Sequence, residues 1–255
     1  MNLNCTDMKK LKYIFQFIAI VTIVFATSCK KESEGISKIT YYADFKMAGQ
    51  PVVYITDGTP FTDPGVTATE NGASLPVTTT IAGDYFSYTG TTVDVTSNNR
   101  YLITYTATNK DGFPGSVSRE VYVVKTGDMV TSLEGIYSST VVRNGVVSAQ
   151  YANMEYVMIR KTGANTYELS DGIGGYYDIG RKYGAGYRAQ PATFTANDIP
   201  TSNFTFGPSF GVGSFGGVAN IMSMTVDATA KTITFQTDWD AGPYTFIVTL
   251  TQVNL

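Results

Sequence analysis

Tyr101-Leu102-Ile103-Thr104-Tyr105-Thr106-Ala107-Thr108 is the stretch that decides the fold. Tyr101, Ile103, Tyr105 and Ala107 fall on one side of this run, and Leu102, Thr104, Thr106 and Thr108 on the other. A two-residue period of this kind gives an extended strand one face for a core and one for water, and the first face is the expected core side. Asp111-Gly112 then turns the chain into Val117 to Val124. Upstream, Val52-Val53-Tyr54-Ile55 is followed by turn signals at Asp57-Gly58, Asp63-Pro64-Gly65, Asn71-Gly72 and Asn98-Asn99. Ile36 to Val124 therefore reads as short strands joined by tight turns.

The composition points the same way. Among 255 residues there are 18 Tyr, 14 Phe and 25 Gly, and only 15% of positions are charged, a profile that favours strands and turns over amphipathic helices. Lys125-Thr126-Gly127-Asp128 reads as a linker. From Ser132 onward the pattern changes to longer strands, expected near Gly135 to Arg143, Asn153 to Lys161, Thr166 to Ser170, Gly186 to Thr195, Asn203 to Phe206, Ala219 to Val226, Thr232 to Asp238 and Tyr244 to Val253. Consecutive strands with short connections predict an up-and-down antiparallel β-barrel-like domain of lipocalin type, or a strongly curled sheet, with a second sandwich as the competing arrangement. The expected fold class is all-β, a β-sandwich over 38–125 and a barrel-like domain over 132–255.

At the start of the chain Lys9, Lys10 and Lys12 precede an apolar run from Tyr13 to Ala26, the layout of a signal peptide over 1–28 and too short for a comfortable membrane span. Met8 is a plausible true start. The run ends in Ala26-Thr27-Ser28-Cys29, which resembles the lipobox of bacterial lipoproteins, with Ala26 where leucine is commoner. That resemblance implies cleavage before Cys29 and lipidation of its thiol, with 29–37 as lipidated cysteine and tether; an ordinary cleaved signal with an incidental cysteine is the competing reading. Lys30-Lys31-Glu32-Ser33-Glu34 resembles the surface-export signal of Bacteroidetes-type lipoproteins. The implied partner is a membrane held through a lipid anchor, and the implied location is the outer membrane, at the cell surface.

Several chemistries are excluded by residue type. Cys5 and Cys29 are the only cysteines, so the chain after the signal has no disulfide and no redox pair. His is 0, which removes the commonest general base and metal ligand together, so zinc, haem and Ser-His-Asp chemistry are not expected, nor any cofactor. A net charge of −3 offers no basic surface for a phosphate backbone, so nucleic acid is not an expected partner and a neutral ligand fits better.

Two resemblances add to this reading. Phe61-Thr62-Asp63-Pro64-Gly65-Val66-Thr67-Ala68 and the Tyr101 to Thr108 strand, with Asp111-Gly112 and Arg119-Glu120-Val121, resemble the bacterial Ig-like domain of pesticidal crystal proteins and many surface proteins. Such domains act as spacers. The family's Asp-Gly-Asp stretch is replaced here by Glu70-Asn71-Gly72-Ala73-Ser74-Leu75, so no calcium site is expected. The second half is similar to the C-terminal region of Bacteroides lipoproteins encoded beside starch-utilisation-like glycan uptake systems, through Leu133-Glu134-Gly135-Ile136-Tyr137, Asp171-Gly172-Ile173-Gly174-Gly175-Tyr176-Tyr177 and the terminal hairpin around Trp239. This resemblance implies a glycan context, with polysaccharide or oligosaccharide and neighbouring outer-membrane transport proteins as partners, and no catalytic residues.

Three clusters carry candidate chemistry. Gly211, Gly213 and Gly216 fit G-x-G-x-x-G, but no strand-to-helix turn surrounds them, and Phe206 to Val218 reads as a Gly/Phe-rich flap with Phe210 and Phe215 against the barrel mouth. Asp171, Asp178, Asp238 and Asp240 are the carboxylates to inspect for a glycosidase pair, although most stand beside turn residues. Tyr176, Tyr177, Tyr183 and Tyr187, with Asp178, Arg181, Lys182 and Arg188, mix flat rings with forked hydrogen-bonding groups, the combination that stacks on a sugar's C–H face and holds its hydroxyls. The same tyrosines would equally cover a sheet face. Trp239, the single tryptophan, is either an exposed stacking platform at a hairpin tip or, if its strand runs one residue further, a plug at the barrel end. The expected function is a non-catalytic envelope lipoprotein that binds glycan or assists its uptake. The alternatives are a structural or adhesive protein recognising another protein through edge strands or the Gly/Phe loop, and, more remotely, a glycoside hydrolase.

Overall fold

A computed structural model describes residues 39–254. The expected signal peptide, Cys29 and the tether lie outside the described residues.

The first half is a seven-stranded sandwich built from β1 (Asp44–Met47), β2 (Val52–Thr56), β3 (Val66–Glu70), β4 (Ala73–Leu75), β5 (Thr78–Gly83), β6 (Asn99–Thr108) and β7 (Pro114–Val124). One sheet has the order β1-β3-β4 and the other β2-β7-β6-β5. All pairs are antiparallel except β2 and β7, which run parallel from Val52 opposite Glu120 to Thr56 opposite Val124. β6 alternates as its sequence requires: Tyr101, Ile103, Tyr105 and Ala107 are buried, and the first three pack with Ile55, Val121 and Val123 in the sandwich core. The β3–β4 hairpin turns at Asn71-Gly72, both at positive φ (47° and 81°), a conformation that Asn and Gly adopt most cheaply and that matches the twist of the flanking strands.

The motifs that marked this half converge on one buried side chain. Arg119 is fully buried between the sheets, where its Nε donates to the Tyr105 hydroxyl at 3.2 Å and pairs with Asp63 at 3.1 Å. Its remaining donors reach the carbonyls of Ala48 and Gln50. Tyr105 in turn donates to Asp63 at 2.6 Å, and the Gly65 amide closes the Asp63-Pro64-Gly65 turn on the same carboxylate at 3.3 Å. A buried guanidinium is tolerable only when every donor is met, and here turn, strand and sheet partner each supply an acceptor.

The second half is one antiparallel ten-stranded sheet: β8 (Gly135–Arg143), β9 (Met154–Lys161), β10 (Thr166–Leu169), β11 (Ala189–Gln190), β12 (Ala192–Asp198), β13 (Asn203–Phe206), β14 (Phe210–Val212), β15 (Gly216–Asp227), β16 (Thr232–Trp239) and β17 (Tyr244–Gln252). Its order is β11-β14-β15-β16-β17-β8-β9-β10-β12-β13. The expected continuous strand from Gly186 to Thr195 is instead a helical turn at Ala185–Tyr187 followed by two strands split at Pro191, which has no N–H to give a ladder. The split shapes the domain. β11 pairs with β14 at one end of the sheet, whereas β12 pairs with β10 near the other, so a single chain segment ties the two ends and holds the sheet curled. The expected Gly/Phe flap is corrected in part: Phe210 to Val212 is a strand with Phe210 buried, and Phe215 is exposed.

The interior of the curled sheet is filled by the chain itself. Residues 171 to 177 are all buried, and strand side chains hold their carbonyls: Ser139 Oγ donates to Gly174 O at 2.8 Å and Thr237 Oγ1 to Gly172 O at 2.5 Å. Gly174, at φ +68°, is required here, because a Cβ would meet Val248, Val141 and Ser139 at 2.6–2.8 Å.

The two halves share a small core in which Tyr85, Phe86, Tyr122 and Val124 pack with Ile136 and Met158. Polar contacts surround it. The Asn98 side chain donates to the carbonyls of Lys125 and Ile159 at 3.0 and 2.9 Å, and Gln190 donates to Tyr85 O at 3.0 Å. Arg160 lies 4.2 Å over the Phe86 ring.

Candidate functional site

The sequence-predicted residues separate into a buried floor, an exposed ring face and a charged cleft. Tyr176 (3% exposed), Tyr177 (6%) and Trp239 (5%) form the floor. Tyr176 stacks on Tyr151 with centroids 4.0 Å apart, Trp239 stacks on Tyr244 at 5.6 Å, and Tyr177 meets Trp239 edge-on at 6.1 Å. Arg143 caps this floor, 4.9 Å over Tyr176 and 4.8 Å over Tyr244.

The platform reading of Trp239 is thereby corrected. β16 runs through Trp239, its alternation buries Ile233, Phe235, Thr237 and Trp239 in turn, and the indole becomes a plug whose Nε1 donates to Gly216 O at 3.1 Å. Gly217, at φ +73°, allows that approach, since a Cβ there would stand 2.4 Å from the indole nitrogen. The faces of Tyr176 and Tyr177 are likewise covered by neighbouring rings rather than open to a sugar.

Above the floor, Tyr183 (47% exposed), Tyr187 and Phe215 (46%) make a triangle, with centroid separations of 5.2 Å for Tyr183–Tyr187, 4.9 Å for Tyr187–Phe215 and 6.3 Å for Tyr183–Phe215. Tyr177 supports the triangle from below, 4.8 Å from Phe215 and nearly parallel to Tyr183 at 6.2 Å. The two loops that carry these rings are tied by Ser214 Oγ donating to Gly186 O at 3.0 Å. Arg181 stands beside them, with Nε on the Tyr151 hydroxyl at 3.1 Å and Nη1 on the Tyr183 hydroxyl at 3.5 Å.

Asp178 is turned away from the rings. It accepts from Arg188 Nε at 2.5 Å, and Arg188, only 6% exposed, reaches across to Asp84 of the sandwich at 3.1 Å. Burial opposes the Arg188 charge, but Asp84 and Asp178 outweigh it and its pKa is raised. Arg100 joins Asp84 at 3.1 Å and Glu120 at 3.5 Å. This network borders a cleft of about 670 Å³ between the two halves, completed by Glu155, Lys182, Gly184 and Ala185. Sequence reasoning missed the sandwich's share, Asp84, Arg100 and Glu120, because each is a solitary charge whose partners lie far along the chain.

The four inspected carboxylates do not gather. Asp238 accepts from Gln236 at 2.8 Å and Asp240 from the Val218 amide at 2.7 Å, both near the β16–β17 hairpin. Asp171 is buried at the head of the interior segment. Its Oδ1 accepts from the Ile173 amide at 2.9 Å, while Oδ2 has no partner among the described residues. Burial, reinforced by the nearby Asp178 charge, pushes the carboxyl up to about 7, although the Ile173 amide pulls the other way.

Comparison with known proteins fits this architecture. Residues 45–123 match the family model of the bacterial surface protein Ig-like domain, and residues 126–252 match a second family model, for a C-terminal domain. No curated protein matches the chain. Among solved structures, the crystal structure of the lipoprotein BT2262 from Bacteroides thetaiotaomicron aligns with a TM-score of 0.59 and 24% identity, over 83% of this chain and 100% of that one. The chain thus joins a segment similar to bacterial surface Ig-like domains to a β segment similar to the second family model, in a fold like that of a Bacteroides lipoprotein.

Proposed function

We propose that this protein is a non-catalytic, lipid-anchored protein of the bacterial envelope that binds glycan on the exposed ring face of its C-terminal domain. The observation that carries the reading is the triangle of Tyr183, Tyr187 and Phe215, three partly exposed rings held from below by Tyr177. Rings fixed by packing lose little freedom when a sugar stacks on them, and Arg181 stands at hand for hydroxyls. The filled interior leaves the outside of the domain as the place for a ligand. The anchor rests on Ala26-Thr27-Ser28-Cys29 and gains support from the fold shared with a lipoprotein. Placement at the outer membrane surface, beside a glycan transporter, follows from the charged run after Cys29 and the family context.

A glycan array on the soluble chain 30–255 tests the binding. Tyr183→Ala and Phe215→Ala should each weaken a positive signal by on the order of ten-fold, by analogy with base stacking on aromatic rings. If both variants bind like the parent, the ring face is not the site. Cys29→Ala in the full precursor should release the protein from membranes, and retention after a high-salt wash would refute the anchor. A protein partner is the second reading, favoured by exposed Val218 and Met222 on β15, and an array without glycan hits would turn to it.

A further inference from the structure

We propose that the charged cleft between the sandwich and the curled sheet is a second subsite for the same neutral saccharide chain, so that the Ig-like half contributes to recognition instead of only spacing it from the membrane. This inference rests on the glycan reading above. Three observations carry it.

The first is size and placement. At about 670 Å³ the cleft lies in the range of ligand-binding pockets, and it is lined from both halves of the chain. The second is charge. Asp84, Glu120, Glu155 and Asp178 face Arg100, Lys182 and Arg188, so the walls offer donors and acceptors in nearly balanced number. A polyanion or polycation gains little net attraction from such a surface. A neutral polyhydroxyl chain, whose every hydroxyl both donates and accepts, can use both kinds of group. The ion pair of Arg188 with Asp84 holds the opposing walls together, and Arg100 fixes Asp84 from its own side, so the site is already formed before any ligand arrives.

The third is continuity. Lys182, Gly184 and Ala185 line the cleft, and Tyr183 and Tyr187, which alternate with them along the same loop, form two corners of the ring triangle. One short loop is therefore a wall of the cleft and the edge of the ring face. A saccharide stacked on the rings and continued over this loop enters the cleft.

Isothermal titration of the soluble chain 30–255 with a panel of neutral disaccharides and longer oligosaccharides of the same linkage tests the idea. Glu155→Ala and Lys182→Ala are suitable variants, because both side chains are exposed and neither belongs to the Arg188–Asp84 network that joins the halves. Each should weaken binding of the longer ligands by on the order of ten-fold, the cost of a hydrogen bond to a charged group, while leaving disaccharide binding within about two-fold. Tyr183→Ala should weaken both ligand classes. If the cleft variants leave the longer oligosaccharides unaffected, or weaken disaccharides equally, the cleft is not a subsite and the ring-face reading still stands. If Tyr183→Ala changes neither class, or no panel member binds, the ring-face reading falls and this inference falls with it.

Discussion

Asp171 makes a sharp prediction about pH. Its carboxyl is buried with one oxygen unpartnered, and its pKa rises from an ordinary 3.8 to about 7 in the fold. The folded protein therefore keeps a proton on Asp171 up to about pH 7, whereas the unfolded chain releases it near pH 4. Between those values folding takes up a proton, so stability falls as pH rises, by about 1.4 kcal/mol per unit, and levels off above about pH 7. Over roughly three units the loss is about 4 kcal/mol, equivalent to about 8–16 °C in melting temperature for a chain of this size. The signal is unusually clean because the protein has no histidine, the side chain that ordinarily titrates in this window. Asp171→Asn keeps the acceptor for the Ile173 amide but cannot ionise. Thermal melts of the soluble chain 30–255 at intervals from pH 4 to pH 8 should show the parent losing stability and the Asn variant changing much less, the two diverging towards high pH. Parallel pH profiles for the two proteins would refute the buried-acid argument.

Three other outcomes follow from the packing. Trp239→Ala should cost about 3–5 kcal/mol of stability, the range for a large aromatic removed from a core, and a melting temperature unchanged from the parent would restore the platform reading. Arg119→Ala should destabilise the sandwich by about 3–5 kcal/mol, because Asp63 and two carbonyls lose their buried partner; urea titration followed by tyrosine fluorescence measures it, and a loss below about 1 kcal/mol would contradict the network's role. Arg188→Ala should loosen the junction between the halves, so that a single calorimetric transition in the parent splits into two, whereas one undivided transition in the variant would place the coupling in the Tyr85, Phe86 and Met158 cluster instead.

The fold was legible wherever neighbouring residues determine it. The alternation in β6 named its buried face, and Asn71-Gly72 named a hairpin, because strand period and turn chemistry are local properties. Trp239 shows where that stops. Its role turned on whether β16 ended one residue sooner or later, and a tryptophan between two aspartates gives no local reason for either. Asp171 to Gly180 shows a second kind of failure. Tyr176 and Tyr177 read as rings that could stack on a sugar, but the glycines before them permit close packing, and the strand side chains that meet Gly172 and Gly174 come from distant parts of the chain. Tyr183 and Tyr187 lie exposed and partly exposed, as a ring cluster with forked charged neighbours suggests, whereas the cleft depended on Asp84 meeting Arg188, a contact across 104 residues that has no local signature.

The parallel pairing of β2 with β7 has a mechanical consequence. The chain enters the sandwich ahead of β1 and leaves it for the C-terminal domain at the end of β7. A pull between those two points, once β1 has yielded, drags β2 and β7 in opposite directions along their own axes. Hydrogen bonds across such a pair share the load in shear and must break nearly together, while an antiparallel hairpin pulled from its open end unzips one bond at a time. A domain of this design resists stretching between its two ends more firmly than its equilibrium stability alone suggests.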